Sequence, residues 1–409
     1  MKNPLAGTFR SLRSFNFRLW TVGALVSNIG TWMQRVAQDW LVLTQLTHHD
    51  ASALGIVMGL QFAPFLLFLP WTGLAADRLN QRKLLMLTQA TMGVLALIQG
   101  FLTISGVIQL WHVYVLAFLT GSAAAFDAPV RQTFVSEVVG DTDLPNAVAL
   151  NSSSFNAAQM IGPAVAGVLI ASIGLGWAFV LNGISFAAVL VSMSFFRLSE
   201  LRKSARAHPT ASGFREGLRY VWRRPDLRAM LIMLFLIGTF GMNFPIFIST
   251  MAVNVFHSDA RAFGLLSSIM AVGTLSGALF AAGRHKPGLP TLLGGASVLG
   301  LGCTLGAISP GYWWFAASLV IMGAAVLTFG NATNSAMQLS TEPAMRGRVM
   351  ALRVAIALGG TPIGAPIAGW VANQFGPRWS LAIGAAAGFS AALVAAYVLV
   401  RRKQPLPAQ

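Results

Sequence analysis

Charge is scarce in this sequence, and negative charge is the scarcest. Only 12 of its 409 residues are Asp or Glu, and charged residues make up 10% of the chain, against 55% for hydrophobic residues. A soluble globular protein carries about 25% charged residues to cover its surface, so this composition excludes an ordinary soluble fold. Apolar runs of about 20 residues recur instead, and each is long enough to cross a bilayer as a helix. We therefore predict an all-α membrane protein.

Cysteine pairs, histidine clusters and nucleotide-binding signatures are also missing. The one cysteine, Cys303, excludes an intrachain disulfide bond. The six histidines are scattered apart from His48 and His49, so we predict no metal site. No G-x-x-x-x-G-K-[ST] loop occurs, which argues against ATP-driven chemistry. We expect no catalytic residue and no cofactor. The basic N-terminal stretch lacks a small-residue cleavage site, and we expect no cleaved signal peptide.

The longest polar segment lies in the middle of the chain, at residues 197–228. It contains nine basic residues, against only Glu200, Glu216 and Asp226. It cannot lie in hydrocarbon, because each central charge would cost about 2.5–3.5 kcal/mol. We predict a water-exposed basic linker here, between an N-terminal six-helix bundle at residues 1–196 and a C-terminal bundle at residues 229–409.

Basic residues are distributed unevenly between the loops that alternate along the chain. Twelve apolar spans are predicted, so both termini lie on one side, and 25 of the 28 Lys and Arg residues fall at or near that side. The positive-inside rule makes this side the cytoplasm. Topology thereby explains the net charge of +16, and we predict no nucleic-acid partner. The predicted spans are residues 17–43, 53–76, 84–106, 110–133, 147–173, 177–196, 229–253, 262–283, 290–309, 312–338, 349–374 and 379–400.

The two halves share short internal repeats. Residues 161–167 read IGPAVAG and residues 363–369 read IGAPIAG, an offset of 202 residues, and DASALG at 50–55 resembles DARAFG at 259–264. Two matched bundles are a transporter architecture, with the substrate site between the repeats. Chance similarity of Gly- and Ala-rich helices is the alternative. The residues predicted to bend these helices and allow close packing are Gly162, Pro163, Gly167, Gly364, Pro366 and Gly369.

The first span carries the strongest candidate substrate site. Asn28, Trp32, Arg35, Gln38 and Asp39 fall along one stripe of the predicted helix, opposite an apolar stripe. Charged groups inside a membrane usually face a cavity and mark function. Arg35 and Asp39 are spaced to pair. Asp39 is interpreted either as a proton-coupling group or as a hydrated residue near the outer boundary.

Other polar residues at mid-depth are amides, which either join neighbouring helices or contact a ligand. With the aromatic residues they suggest an amphipathic, aromatic-tolerant cavity. No acid lies securely at the midplane, which argues against a dedicated organic-cation pump, whereas a buried arginine tolerates neutral or anionic cargo. The amide candidates are Gln61, Asn156, Gln159, Asn243, Asn331 and Asn334.

A second charged pair ends the fourth span, in the stretch FDAPVRQ. Asp127 and Arg131 are four residues apart, and we predict that they pair on one helix face. Pro129 between them kinks or ends the helix. We assign this pair to structure or to gating rather than to substrate contact.

A charged turn follows the second span. Residues 73–83 read GLAADRLNQRK, with Gly73 at the start, Asp77 and Arg78 at the turn and Arg82 near the end. Glycine lets helices approach closely, and we expect the charged pair to cap the turn. A turn that only sets topology is the alternative interpretation.

This turn resembles the signature loop of the major facilitator superfamily, G-x-L-A-D-R-x-G-R-R-K. Asn80 replaces the usual glycine, and asparagine can still adopt a left-handed turn. The resemblance implies twelve transmembrane helices in two pseudo-symmetric six-helix bundles. It also implies a gating latch, in which Asp77 binds the opposite half at the cytoplasmic face. The positive dipole end of the eleventh span would attract this carboxylate, and Arg346, Arg348 and Arg353 are alternative partners.

The fifth span, with its two glycines and proline, resembles the fifth-span motif of facilitator-type exporters. Together with FDAPVRQ and DLPNAVALN it is similar to the branch that contains the enterobactin exporter, macrolide efflux proteins and a lysophospholipid transporter. The resemblance implies export of an amphipathic small molecule, siderophore or drug-like, by alternating access in exchange for protons. We expect a monomer in the lipid bilayer of a bacterial inner membrane, with both termini in the cytoplasm.

Two alternatives stay open at this point. The same branch contains a lipid transporter, so a lysophospholipid flippase of the same fold is one. A non-transporting membrane receptor or scaffold is the other, and the polar first span and the paired halves weigh against it.

Overall fold

The computed structural model describes residues 9–140, 143–201, 213–282 and 288–403, and within these ranges it leaves out the side chains of 77, 213–215, 281–282, 343–344 and 402–403. The predicted latch carboxylate of Asp77 therefore lies outside the described part. The same holds for residues 202–212 of the basic linker, for the basic residues at 283–287, for Lys2 and for the side chains of Arg402 and Lys403.

Helices dominate the described residues, which contain no β-strand. Short 3-10 and π-helical stretches join or extend several of them. The sixteen α-helices are α1 (Phe15–Leu41), α2 (Ala51–Leu67), α3 (Leu69–Arg78), α4 (Gln81–Ile104), α5 (Leu110–Val139), α6 (Leu144–Ile173), α7 (Leu175–Ser194), α8 (Gly213–Arg223), α9 (Pro225–Leu236), α10 (Phe244–Thr250), α11 (Ala260–Ala282), α12 (Leu289–Ala307), α13 (Tyr312–Ser340), α14 (Pro343–Gly359), α15 (Thr361–Phe375) and α16 (Pro377–Lys403).

Ten segments of the described chain are long and apolar enough to cross a membrane, and the pair α2 and α3, bent by 59°, makes an eleventh. Two of the ten contain interrupted helices, α9 with α10 over Pro225–Val255 and α14 with α15 over Met345–Phe375. Pro245 and Pro362 stand in the first turns of α10 and α15. Proline is tolerated in a first turn but interrupts a continuous helix, so the sequence itself sets these breaks.

Helix α1 is the twelfth span, although it is less apolar than the others. It has 27 residues, which corresponds to a length of about 40 Å, enough to cross a bilayer. The polar stripe with Arg35 and Asp39 lowers its hydropathy. The twelve-helix, all-α fold predicted from the sequence is confirmed.

The described residues form two compact units. Unit 1 draws on Met1–Leu41, Leu67–His208 and Asp259–Ser268, and unit 2 on Val42–Leu66, Pro209–Ser258 and Ile269–Gln409. In unit 1, α1 packs against α6 and α7, and α4 packs against α5 and α7. In unit 2, α12 packs against α13 and α16, and α9 packs against α16. Since α4 and α12 are the third spans of their halves, and α7 and α16 the sixth, the two units repeat the same packing.

Two short stretches belong to the unit that the other half of the sequence mainly forms. Residues 42–66, with α2, lie in unit 2, and residues 259–268, at the start of α11, lie in unit 1. These stretches carry the repeated DASALG and DARAFG sequences. The predicted domains divide the chain into an N-terminal and a C-terminal half at residues 196 and 228. The contacts instead assign each of these two stretches to the unit of the opposite half.

Part of the basic linker is helical and packed. Glu216 of α8 forms an ion pair with Arg348 of α14 at 2.9 Å. A Cβ added at Gly217 would lie 3.1 Å from Arg348 Cβ, and Val221 is only 1% exposed. The sequence predicts a water-exposed linker, and within it the structure buries one face of α8 against α14. At the end of the linker, a hydrogen bond with Asp226 raises the pKa of the Arg224 guanidinium above its usual value.

Candidate functional site

The glycine motif of α6 makes two close helix contacts in unit 1. A Cβ added at Gly162 would meet the Trp32 Cβ at 2.6 Å and the Ile29 carbonyl oxygen at 2.9 Å, both on α1. A Cβ at Gly167 would lie 2.7 Å from the carbonyl oxygen of Ala260, at the start of α11. Only glycine permits helices to approach this closely, so the spacing of the two glycines places α6 against both α1 and α11.

The matching motif of α15 makes the equivalent contacts in unit 2. Gly364 packs against the backbone of Thr239, in the π-helical stretch that follows α9, and Gly369 packs against the backbone of Ala51 in α2. Gly364 and Gly369 stand 202 residues after the two glycines of α6. Each fifth span of a half therefore contacts the first span of its own half and the second span of the other half.

The second internal repeat supplies the other side of these contacts. Asp50 Oδ1 accepts a hydrogen bond from the Ser52 amide at 2.7 Å, at the start of α2. Asp259 Oδ1 accepts one from the Ala262 amide at 2.9 Å, at the start of α11. Carboxylates satisfy the free N–H groups of a helix start. The repeated Asp thus begins each helix, and the glycine five residues later packs against α15 or α6.

An aromatic and cationic group lies beside the α1–α6 contact. The Arg35 guanidinium lies 4.7 Å from the centre of the Trp32 ring, and Trp32 makes an edge-to-face contact with Phe155 of α6 at 5.8 Å. Phe155 is 45% exposed, so this group is open on one side. Asp39 lies one turn after Arg35 and is 8% exposed. The structure thus brings Trp32 and Arg35 together with an aromatic residue that can contact a ligand.

Gln38, on the same predicted stripe, instead belongs to a buried chain of amides. Its side-chain oxygen accepts a hydrogen bond from Gln99 Nε2 of α4 at 3.4 Å. Gln99 Oε1 accepts from Gln34 Nε2 at 3.3 Å, and Gln34 Oε1 accepts from Asn182 Nδ2 of α7. The chain links α1, α4 and α7, which are the first, third and sixth spans. Sequence reasoning missed Gln34 and Gln99, although Gln34 and Gln38 have helical i, i+4 spacing.

Replacing Gln99 by leucine is expected to destabilise unit 1, because Gln34 and Gln38 would each lose a buried partner. The expected loss in free energy of unfolding is about 1–3 kcal/mol, measured by denaturant unfolding of the purified protein in detergent. The exposed Gln338→Leu variant is the matched control and is expected to stay within about 0.5 kcal/mol of wild type. Equal stabilities of the two variants would contradict a structural role for the amide chain.

The predicted pair of Asp127 and Arg131 is present within a larger polar cluster. Arg131 Nε donates to Asp127 Oδ2 at 2.8 Å, and Asp127 Oδ1 accepts from Thr88 at 2.8 Å and from Gln89 at 2.7 Å. Arg131 also lies 5.7 Å from the Trp20 ring centre. Asp127 is 5% exposed. This cluster joins α4 to α5.

The charged turn after the second span differs in detail from its prediction. Asn80 has φ −67° and ψ 114°, and its side chain accepts a hydrogen bond from the Lys83 amide at 3.0 Å. Asn80 therefore does not use the left-handed conformation open to asparagine, because it acts as the N-cap of α4, a position that asparagine favours. Gly73 has no neighbour within 4 Å of an added Cβ, so it mediates no close helix contact among the described residues. Arg82 donates to the Met193 carbonyl at 2.8 Å and thereby caps the end of α7; Arg78 is exposed.

The remaining candidates lie in varied surroundings. Asn243 is fully buried and donates to the Thr239 carbonyl at 2.8 Å, so it offers no exposed atom to a ligand. Arg346 donates to the Gln338 carbonyl at 3.2 Å. Asn331 is exposed, whereas Asn28, Gln61, Asn156, Gln159 and Asn334 are partly exposed.

The chain resembles known transporters along almost its entire length. The family model described as transmembrane secretion effector matches residues 6–407. The multidrug efflux pump Tap of Mycolicibacterium fortuitum is 29% identical over 86% of this chain and 88% of its own. A staphyloferrin A transporter of Staphylococcus aureus is 27% identical, over 60% of this chain and 61% of its own length.

The fold agrees with these matches. A bacterial homologue of the human lysosomal transporter Spinster superposes with a TM-score of 0.72 at 16% identity, covering 96% of this chain and 98% of that one. The superfamily resemblance predicted from the charged turn and the fifth span is confirmed. The chain belongs to the transmembrane secretion effector family, and is a transporter of the major facilitator superfamily.

Proposed function

We propose that this protein exports an amphipathic small molecule, siderophore or drug-like, by alternating access in exchange for protons. The names of the two relatives, a multidrug efflux pump and a staphyloferrin A transporter, support this substrate class. The observation that carries the mechanism is the duplicated glycine contact. Gly167 of α6 packs against α11, and Gly369 of α15, 202 residues later, packs against α2 in the same way.

Such contacts suit a cycle in which helices separate and meet again. The closest approaches are between glycine and backbone atoms, so the helices part without disengaging interlocked side chains. Because each half supplies one second span and one fifth span, the two contacts open and close together. The functional halves in this cycle are residues 1–196 and 229–409, linked by residues 197–228.

The distribution of basic residues supports the orientation. We place both termini and the basic linker in the cytoplasm of a bacterium, with the protein in the inner membrane, according to the positive-inside rule. The turn at residues 73–83 then lies at the cytoplasmic face, where Asp77 would act as the latch. Arg348 already has a carboxylate partner in Glu216, so the dipole end of α14 is the preferred target for Asp77.

Flux measurements in proteoliposomes test the proposal. We expect a drug-like fluorescent cation or anion to move against its gradient when a pH gradient is imposed, and to stop when a protonophore collapses that gradient. Movement that needs no pH gradient would contradict proton exchange. Movement of a fluorescent lysophospholipid without movement of drug-like compounds would favour the flippase. No flux of either class would favour a receptor or scaffold.

A further inference from the structure

In addition to Arg35, a second arginine lies inside a membrane-spanning segment, in unit 2. Arg353 is on α14 and is half-buried. One terminal nitrogen of its guanidinium donates to the Gly330 carbonyl of α13 at 3.0 Å. Its Nε–H is fully buried and has no hydrogen-bond acceptor among the described atoms. A buried donor without an acceptor is costly, so the group needs a further partner.

Arg353 lies at membrane depth. It stands ten residues after Pro343, where α14 begins, and Gly330 stands ten residues before Ser340, where α13 ends. At a rise of about 1.5 Å per residue, each lies about 15 Å along its helix from the turn at residues 341–342 that joins α13 to α14. A charge at such a depth is expensive and usually faces a cavity or a partner.

The surrounding sequence provides no carboxylate for Arg353. Between residues 260 and 409 the only acid is Glu342, which is exposed at the N-cap of α14 and about 16 Å away along the helix. Of the other acids in unit 2, Glu216 pairs with Arg348 and Asp226 with Arg224, while Asp50 caps α2. Within the described part of unit 2, the positive charge of Arg353 is therefore uncompensated.

There is room for a ligand group at this point. A Cβ added at Gly330 would meet nothing within 4 Å, so open space adjoins the carbonyl that orients Arg353. Asn331, next in the chain, is exposed, and Asn334 is partly exposed. A guanidinium with a free donor next to open space can accept an oxyanion, since guanidinium binds carboxylate and phosphate groups by charge-assisted hydrogen bonds.

We propose that Arg353, held by the Gly330 carbonyl, forms an anion subsite that binds a carboxylate of the transported molecule. This rests on the proposed transport function and deepens it, because it makes the preferred cargo an amphipathic acid. The Gly330 carbonyl fixes the guanidinium, and the carboxylate supplies the missing acceptor for Nε–H. The phosphate of an anionic lipid has the same chemistry and is the competing source of the anion.

Two probes that share one fluorophore test the charge preference. N-dansylglycine carries a carboxylate, and dansylglycinamide is its neutral counterpart. We expect the purified wild-type protein in neutral detergent to bind N-dansylglycine more tightly. Arg353→Gln is expected to weaken that binding by about 30-fold or more, since it removes one partner of a buried charge pair. Binding of dansylglycinamide is expected to change less than threefold. Arg353→Lys keeps the charge and should restore part of the preference.

Arg378→Gln is the matched control, because it removes a cation of the same unit whose contacts are also backbone carbonyls. It should leave both probes unaffected, and size-exclusion profiles should show that every variant is folded. Equal loss of both probes in Arg353→Gln, equal affinities of both probes for wild type, or no binding of N-dansylglycine to wild type would overturn the subsite. Flux of the neutral probe by Arg353→Gln would leave the transport function intact, so the two failures are distinguishable.

Two further arms separate the other sources of negative charge. Reconstitution into phosphatidylcholine with and without phosphatidylglycerol should not change the affinity for N-dansylglycine; competition by phosphatidylglycerol would assign the site to lipid and overturn the substrate role. If Asp77 were the partner of Arg353, Asp77→Asn would tighten binding of N-dansylglycine by freeing the guanidinium. Unchanged affinity in that variant is the expected result, and tightening would overturn the inference.

Discussion

Replacing Arg35 by alanine is expected to lower the transport rate by about 30-fold or more, with normal expression and folding. Its guanidinium lies 4.7 Å from the Trp32 ring centre. It belongs to a membrane-spanning helix, where a charged side chain is costly and usually has a function. The ring in turn contacts Phe155, which is 45% exposed. We therefore expect Arg35 to hold a charged and aromatic surface in place and to present it to the cargo. Initial rates of flux in proteoliposomes measure the effect.

The control for this variant is Arg197→Ala. Arg197 also lies over an aromatic ring, at 4.4 Å from the centre of Phe15, but its side chain is 60% exposed and pairs with Glu200. Exposed pairs contribute about 0–1 kcal/mol, so transport should change little. Arg35→Lys is expected to keep part of the rate, because the positive charge remains over Trp32. Transport at the wild-type rate by Arg35→Ala would remove Arg35 from the substrate site.

The sequence predicted the fold because the signals for it are strong and repeated. Spans of about 20 apolar residues, separated by basic loops, follow directly from the thickness of the bilayer. The internal repeat was visible because backbone contact demands glycine, and Gly162, Gly167, Gly364 and Gly369 meet that demand at one offset. The repeated Asp50 and Asp259 were visible for a similar reason, since both begin a helix.

Side-chain partners were harder to predict, because helical periodicity gives direction but not the identity of the neighbour. Gln38 shares a stripe with Arg35, yet its oxygen bonds to Gln99 of another helix. Asn243 occupies an interrupted helix that needs its amide. The sequence indicates Arg353 only as a possible latch partner. Its contact with Gly330 depends on how α13 and α14 are aligned along each other, and no local sequence pattern specifies that alignment.

The order of the spans along the chain also did not predict which unit α2 and the start of α11 belong to. Consecutive spans are expected to pack within their own half, and residues 42–66 instead lie in unit 2. The cause lies in the glycine contacts, where Gly369 reaches Ala51 and Gly55. The two short repeats thus marked the glycine motifs and the helix starts that they contact. They did not show that the one packs against the other.

Enlarging Gly369 is expected to have the second large effect, since Gly369→Leu would force a side chain into the backbone of Ala51 and Gly55. Backbone atoms on a packed helix cannot yield as a flexible side chain does, and overpacking costs about 1–3 kcal/mol. If that cost falls on the arrangement in which α2 contacts α15, its population drops by about 5- to 150-fold. Transport should fall accordingly, because one step of the cycle becomes rare.

Cysteine labelling measures this shift directly. With Cys303 replaced by serine and Ser52 by cysteine, at the start of α2, a membrane-impermeant maleimide should react faster in the Gly369→Leu protein. Gly167→Leu is expected to act in the same way on the start of α11, because the two contacts are equivalent. Gly294→Leu is the control, since an added Cβ there meets nothing within 4 Å. Labelling and flux at wild-type rates in both contact variants would mean that these helices stay together throughout transport, and alternating access would then have to open elsewhere.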